Sequence, residues 1–140
     1  MTFVANALRA AGLSSSVRRG IAQARYSPAL LLLPVDMIAL QSRDLARLIS
    51  RWRASRRCVV AAQVAIKDGK PQGGAPLILP RWLYPRALTV SGDAGLRGLV
   101  GSLPASQRIL VYLSSTAMDV DTREDLSNAR QRRHNSDISL

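Results

Sequence analysis

Hydrophobic residues in this chain form short continuous runs, and amphipathic segments separate these runs. Runs without polar alternation are typical of strands buried on both faces, which predicts strands at residues 30–35, 58–62 and 109–113. After Ser42, which we interpret as an N-cap, apolar residues recur at helical spacing, so Trp52 is expected in the core. Further helices are predicted at residues 17–25, 81–88 and 93–103, and a last one opening at Thr122. This alternation predicts an α/β fold with a mostly parallel, Rossmann-like sheet flanked by helices.

The remaining segments are polar or short. Residues 2–5 are interpreted as a short strand, residues 67–74 as a turn-rich loop, and residues 76–80 as an apolar segment between two prolines. Residues 134–140 are expected to form a flexible tail, which leaves residues 1–133 as one domain.

Composition narrows the class of protein. A hydrophobic fraction of 47% over 140 residues suits one globular domain. Cys58 is the single cysteine, which excludes an internal disulfide and a CxxC metal site. No apolar run approaches the ~20 residues of a membrane span, and residues 1–11 lack the layout of a signal peptide. We therefore expect a cytoplasmic protein with no membrane association.

The charge balance favours anionic partners. The formal net charge is +11, and Lys67 and Lys70 are the only lysines among 20 basic residues. Nucleotides, phosphorylated metabolites and nucleic acid all fit such a charge. The arginines are scattered, however, and neither a nucleic-acid-binding motif nor interleaved aromatic residues accompany them, so we do not expect nucleic acid as the main partner.

Asp36 is the first candidate for chemistry, because the apolar run at residues 30–35 stops at this carboxylate. Ligands of open α/β sheets bind beyond the carboxyl ends of the strands, where an aspartate can hold a metal ion or face a phosphate-bearing substrate. The alternative is a strand-end carboxylate that is satisfied locally.

Six positions or segments carry short motifs in a recognisable order. They are Asn6, residues 12–21 (GLSSSVRRGI), residues 31–37 (LLLPVDM), residues 74–79 (GAPLIL), residues 91–97 (SGDAGLR) and residues 118–125 (MDVDTRED). Together they resemble the motifs of the MobA/MocA-like molybdenum-cofactor nucleotidyltransferases, over nearly the whole chain.

The chain departs from that family in several places. Ala75 stands where the family has histidine, Arg123 where it has proline, and Ile38 follows Met37 where a proline is usual after the aspartate. The family opens with a strand and a glycine-rich, triphosphate-binding loop, whereas this chain resembles the family from its third strand onward. The resemblance therefore implies an N-terminally truncated domain that lacks the first β-α-β segment. The strand at residues 30–35 would then have an unpaired edge, which we expect a homodimer, a partner chain or a rearranged N-terminal segment to cover.

The resemblance also implies a reaction and its residues. The complete enzymes transfer a nucleotidyl group from CTP or GTP to a phosphorylated pterin and release pyrophosphate. Asp36 would be the catalytic residue and, with Asp119, a ligand of Mg²⁺. Gly74 would lie near the acceptor, and Arg97 and Lys70 would contact phosphate.

Alternative interpretations stay open at this point. The chain is either such a nucleotidyltransferase, a catalytically inactive remnant or interaction module of the same fold, or a basic nucleic-acid-binding protein. Asp121 is interpreted mainly as a helix-start residue, and Gly73 with Gly74 as either a motif or a flexible loop. Trp82 and Tyr84 either line an acceptor pocket or pack in the core.

Overall fold

A computed structural model describes residues 13–35, 37–90 and 92–117 of the chain. In chain order the helices and strands are α1 (Leu13–Gln23), β1 (Ala29–Leu32), α2 (Ser42–Ala54), β2 (Val59–Lys67), β3 (Lys70–Pro80), α3 (Tyr84–Ala87), α4 (Gly92–Ser102) and β4 (Arg108–Val111). Three short 3-10 helices cover Arg81–Leu83, Ala105–Gln107 and Ser114–Ala117. The strand expected at residues 2–5, the helix expected from Thr122 and the tail at 134–140 lie outside the described residues, so the domain boundaries remain a prediction.

The described strands form one sheet in the order β1-β3-β2-β4. β2 and β4 are parallel, whereas β3 pairs antiparallel with both β1 and β2. The α/β class, with a sheet flanked by helices, is confirmed. The sheet is mixed, however, and its pairing is mostly antiparallel rather than mostly parallel as expected from the sequence. The difference arises because β3 runs against the other three strands and lies between β1 and β2.

A tight hairpin joins β2 to β3 and replaces the loop expected at residues 67–74. Lys67 pairs with Lys70 across a two-residue turn. In this turn Asp68 (φ 52°) and Gly69 (φ 71°) both occupy the left-handed region. Two successive left-handed residues define the turn that matches strand twist, and Asp-Gly is a favoured pair for it. The Asp-Gly dipeptide was thus the sequence signal for a hairpin. The polar residues around it favoured a loop, so the end of β2 and the start of β3 were not predicted.

Both faces of the sheet are covered, which explains the continuous apolar runs. Neighbouring strand residues point to opposite faces, so Val59 and Ala61 belong to one core and Val60 and Ala62 to the other. The first core packs against side chains of α1, α3 and α4, and the second packs against α2, whose Leu48 is fully buried.

Helix α2 follows the predicted pattern with one change at its start. The N-cap is Gln41 rather than Ser42, and the Gln41 backbone N–H donates to Asp44 Oδ2 at 3.0 Å. This carboxylate also lies in the first turn, where it complements the helix dipole. Trp52 is half-buried and packs against the second core, as expected.

Strand β1 is the outermost strand of the sheet as far as the structure describes it. Its backbone pairs with β3 from Ala29↔Pro80 to Leu32↔Leu77, and no described strand pairs with its other side. Coverage of this edge by a second copy or a partner chain remains a prediction. None of the described helices has the length and apolarity needed to cross a bilayer.

Candidate functional site

The candidate site lies at the carboxyl end of the sheet, which we define as the end where β1, β2 and β4 finish and β3 begins. Ala62 of β2 pairs with both Gly74 and Val111, so Gly74 is level with the last residue of β4. Open α/β sheets bind ligands outside this end of their strands. Among the sequence candidates, Gly74, Arg97 and Lys70 are described.

Gly73 and Gly74 are packed closely and do not form the flexible loop considered above. A Cβ on Gly74 would lie 2.9 Å from Val64 Cγ2 and 3.5 Å from Arg97 Nε. Both glycines are buried within β3, next to irregularities in the β2–β3 register. Glycine in a strand often marks a site where another group approaches closely. The space that a side chain would fill at Gly74 is bordered by Val64 and Arg97.

Arg97 therefore lies beside Gly74, and the structure brings these two sequence candidates together. Arg97 is the central residue of α4 and is exposed. Helix α4 runs back along the sheet, because Arg108, the first residue of β4, donates to the carbonyl oxygens of Val100 and Gly101 near the helix end. The start of α4 is consequently at the carboxyl end of the sheet, and the guanidinium group of Arg97, midway along the helix and beside Gly74, can face a phosphate.

Lys70 is separated from this pair. It is exposed, directly follows the hairpin turn, and is four residues from Gly74 along β3. Four residues of strand span about 13 Å. Lys70 thus adds a positive charge at this end of the sheet, farther out than Gly74, and it does not pack against Gly74.

The two metal-ligand candidates, Asp36 and Asp119, lie outside the described residues. The chain around Asp36 enters that position from fully exposed Val35 and leaves it at buried Met37. The described residues contain no group of three or more histidine, cysteine or acidic side chains that could hold a metal ion. Asp44 is engaged as a helix-start residue, and Asp68 lies in the hairpin turn.

The comparison with protein families decides the identity of the fold. A family model described as a MobA-like NTP transferase domain matches residues 1–108, which is more than half of the chain. The chain belongs to the MobA-like NTP transferase domain family. No curated protein matches it. Membership confirms the resemblance found in the sequence, supports a nucleotidyltransferase and implies binding of a nucleoside triphosphate. The matched range of this MobA-like domain includes Asp36, Lys70, Gly74 and Arg97, whereas Asp119 lies beyond it.

The two aromatic candidates of the MobA-like domain have different surroundings. Tyr84 is buried in the first core, where burial raises the pKa of its hydroxyl and Arg81 opposes the shift. Packing, the second of the two interpretations, thus applies to Tyr84. Trp82 is 46% exposed, and it lies at the opposite end of the sheet from Gly74. Neither side chain extends the candidate site at the carboxyl end.

Sequence reasoning missed Val64 as a part of this site, and it missed the close packing at Gly73 and Gly74. A Gly-Gly pair within a strand is a signal for close packing, but the polar neighbours favoured a loop. Val64 had no distinguishing signal, since its approach to Gly74 results from the irregular register of β2 on β3.

Proposed function

We propose that this chain binds CTP or GTP together with Mg²⁺ at the carboxyl end of its sheet and transfers the nucleotidyl group to a phosphorylated pterin. Membership of the MobA-like family supports the nucleotidyl part of this proposal. The observation that carries the location is the closeness of Arg97 to Gly74 at that end, where a Cβ on Gly74 would lie 3.5 Å from Arg97 Nε. The acceptor rests on the sequence resemblance, and the cytoplasmic location rests on the composition of the sequence.

Transfer of this kind depends on charge neutralisation and positioning more than on covalent chemistry. An oxygen of the acceptor phosphate forms a bond to the α-phosphorus, the bond from that phosphorus to the bridging oxygen breaks, and pyrophosphate leaves with the bonding electrons. Arg97 would hold phosphate oxygens through its planar set of donors, and Lys70 would add a point charge. Gly74 would leave space beside Arg97: a Cβ there would press on Val64 at 2.9 Å and reach Arg97 Nε at 3.5 Å, so a larger side chain would compete with the guanidinium group for this space.

Asp36 and Asp119 would hold the metal. Carboxylate oxygens are ligands that Mg²⁺ accepts, usually one or two beside phosphate oxygens and water. When bound, Mg²⁺ would neutralise charge on the triphosphate and on the leaving pyrophosphate. In the sequence Asp36 comes four residues after Leu32, the last residue of β1, and ligands of open α/β sheets bind beyond the carboxyl ends of the strands, which is why we assign it the catalytic role.

Calorimetric titration tests this proposal. Wild-type protein is titrated with CTP and with GTP, with and without Mg²⁺, beside the variants Asp36→Asn and Asp68→Asn. Asp68→Asn removes the same charge from the hairpin turn, and asparagine tolerates the left-handed backbone there. We expect binding that requires Mg²⁺ and that weakens by roughly tenfold or more, about 1.4 kcal/mol, in Asp36→Asn alone.

Two outcomes would contradict the proposal. If neither nucleotide binds to folded wild-type protein, the interpretation as an inactive remnant or interaction module replaces it. If Asp68→Asn weakens binding as much as Asp36→Asn does, the loss is not particular to Asp36 and no specific site at Asp36 exists.

A further inference from the structure

A second cleft lies at the opposite end of the sheet, which we call the amino end because β1, β2 and β4 begin there. Three connections meet at this end: residues 55–58 before β2, the 3-10 helix Arg81–Leu83 after β3, and the 3-10 helix Ala105–Gln107 before β4. Between them is a cleft of about 420 Å³, lined by Arg57, Trp82, Ser106 and Gln107. Its volume falls in the range of small-molecule sites. The strands separate it from Gly74 and Arg97.

Hydrogen bonds fix the walls of this cleft to one another. The Trp82 indole Nε1–H donates to the Arg57 carbonyl oxygen at 2.9 Å, which ties the turn after β3 to the residue before β2. The Cys58 thiol donates to the Ser106 carbonyl oxygen at 3.4 Å, which ties the start of β2 to the 3-10 helix before β4. The cleft is therefore formed in advance, and a ligand would not have to assemble it.

Trp82 is exposed although Pro80 and Leu83, in the same short segment, are not. Pro80 and Leu83 are both fully buried, so the chain is anchored on either side of a tryptophan that keeps 46% of its surface exposed. Its one polar group is already bonded to Arg57. An aromatic ring held in place with its surface free is a platform on which flat aromatic groups stack.

The surroundings of the cleft are cationic. Arg57 is exposed and is close in the sequence to two other exposed arginines. Arg53 lies in the last turn of α2, and Arg56 follows the helix. The sequence has no aspartate or glutamate at residues 45–67, 69–92 or 94–118, the stretches that include all three connections. An anionic ligand here could pair with arginine, because none of the three connections carries a carboxylate that would compete for it. Ser106 and Gln107 would offer hydroxyl and amide groups for hydrogen bonds.

We infer that this cleft binds a nucleoside phosphate, with the base stacked on Trp82 and the phosphate paired with Arg57. Such a ligand combines a flat aromatic group with an anion, and the cleft provides an exposed aromatic ring and an arginine among its lining residues. The nucleotide is either free or one unit of a single-stranded nucleic acid. The proposed contacts need no metal ion, since stacking and pairing with arginine both act directly, and no carboxylate is among the described residues that line the cleft.

This inference changes one expectation from the sequence. Nucleic acid was set aside because no aromatic residues are interleaved with the arginines along the chain. Folding supplies that combination in space, because Trp82 is brought to Arg57 from 25 positions away. The inference does not rest on the proposed nucleotidyltransferase function, since the two sites lie at opposite ends of the strands.

Calorimetry in EDTA separates the two sites, because the proposed triphosphate site depends on Mg²⁺. Wild-type protein is titrated with adenosine monophosphate, with adenosine and with inorganic phosphate. We expect adenosine monophosphate to bind at least roughly tenfold more tightly than either part alone, since stacking and the charged hydrogen bond act together. Quenching of tryptophan fluorescence, lost in Trp82→Phe, would assign the contact to this ring.

Matched variants test the two roles. Trp82→Leu should weaken binding by roughly 5- to 150-fold, as loss of one stacked base does. Tyr112→Leu is its control, because Tyr112 is an exposed aromatic residue after β4 and away from the cleft. Arg57→Gln should weaken binding by roughly 5- to 10-fold. Arg18→Gln removes the same charge from α1 and should leave the affinity unchanged. Circular dichroism confirms that each variant is folded.

Single-stranded oligonucleotides distinguish the sources. If a hexanucleotide binds more tightly than the mononucleotide, with a salt dependence that indicates several phosphates, the cleft serves a nucleic acid. If the mononucleotide binds as well as the hexanucleotide, the ligand is free. Absence of binding by both at millimolar concentration would overturn the inference. Equal weakening by Arg57→Gln and Arg18→Gln would overturn it as well.

Discussion

Replacement of Gly73 by alanine tests how tightly α4 packs on the sheet. A Cβ on Gly73 would lie 2.6 Å from Leu110 Cδ2, 3.0 Å from Val100 Cγ1 and 3.2 Å from Ala61 Cβ. Carbon atoms prefer separations of about 3.5–4.0 Å, so the contact with Leu110 is too close by roughly 1 Å. The backbone of Gly73 is not in the left-handed region, which leaves overpacking as the main effect of the substitution.

The size of the effect follows from which neighbours can move. Ala61 and Val100 are buried and held in the first core, whereas Leu110 is partly buried and can change rotamer. Overpacking typically costs about 1–3 kcal/mol, and the reduced entropy of the unfolded chain returns about 0.4–1 kcal/mol. We expect Gly73→Ala to lower the free energy of unfolding by about 1–2 kcal/mol.

Urea unfolding followed by circular dichroism measures this change. Gly98→Ala is the matched control, because a Cβ on Gly98 meets nothing within 4 Å in the middle of α4. The control should raise the free energy of unfolding by about 0.5–1 kcal/mol. In the double variant Gly73→Ala/Leu110→Ala, removal of the clashing methyl group should give a favourable coupling of about 1 kcal/mol. A Gly73→Ala protein as stable as wild type, or no coupling with Leu110→Ala, would refute the packing argument.

Two further predictions concern the two cores. Burial raises the pKa of Tyr84 above its ordinary 10.0, with Arg81 opposing, so above about pH 10 the folded state keeps a proton that the unfolded state loses. The free energy of unfolding should therefore fall as the pH rises above 10, and it should fall less steeply in Tyr84→Phe. Urea titrations of wild type and Tyr84→Phe at pH 8 and pH 11 measure this difference. An equal loss of stability in both proteins would contradict the raised pKa of Tyr84. Leu48 is fully buried on the α2 face, so Leu48→Ala should lower the free energy of unfolding by about 2–5 kcal/mol. Thermal unfolding measures this change, and a loss below 1 kcal/mol would show that α2 is not packed as described.

Elements with strong local patterns were predictable from the sequence. The apolar runs at residues 30–35, 58–62 and 109–113 each overlap a strand of the sheet, and the spacing after Ser42 predicted the start of α2 to within one residue. Burial on both faces was also deduced correctly from these runs. In each case a few neighbouring residues carried the information, as expected for periodicity.

Strand direction and the candidate site depended on contacts between distant residues. The polar segment at residues 67–74 concealed the start of β3, and without β3 the sheet was expected to be mostly parallel. The approach of Arg97 to Gly74 needs the crossing of α4 over the sheet, and that of Trp82 to Arg57 needs the whole order of strands. No local sequence pattern predicts that either pair of residues comes together. Gly74, Arg97 and Trp82 were nevertheless named as candidate site residues from the sequence.

The position of β1 in the sheet also sets an order of events during synthesis. β1 has β3 as its described partner, and Ala29 pairs with Pro80, roughly 50 residues later in the chain. At about 5–20 residues per second, the ribosome needs roughly 2 to 10 s to deliver that partner. During this interval the aliphatic segment at residues 29–33 has been made but cannot join its sheet. We expect nascent chains to depend on a chaperone at this stage, and faster translation of residues 34–80 to raise the soluble yield.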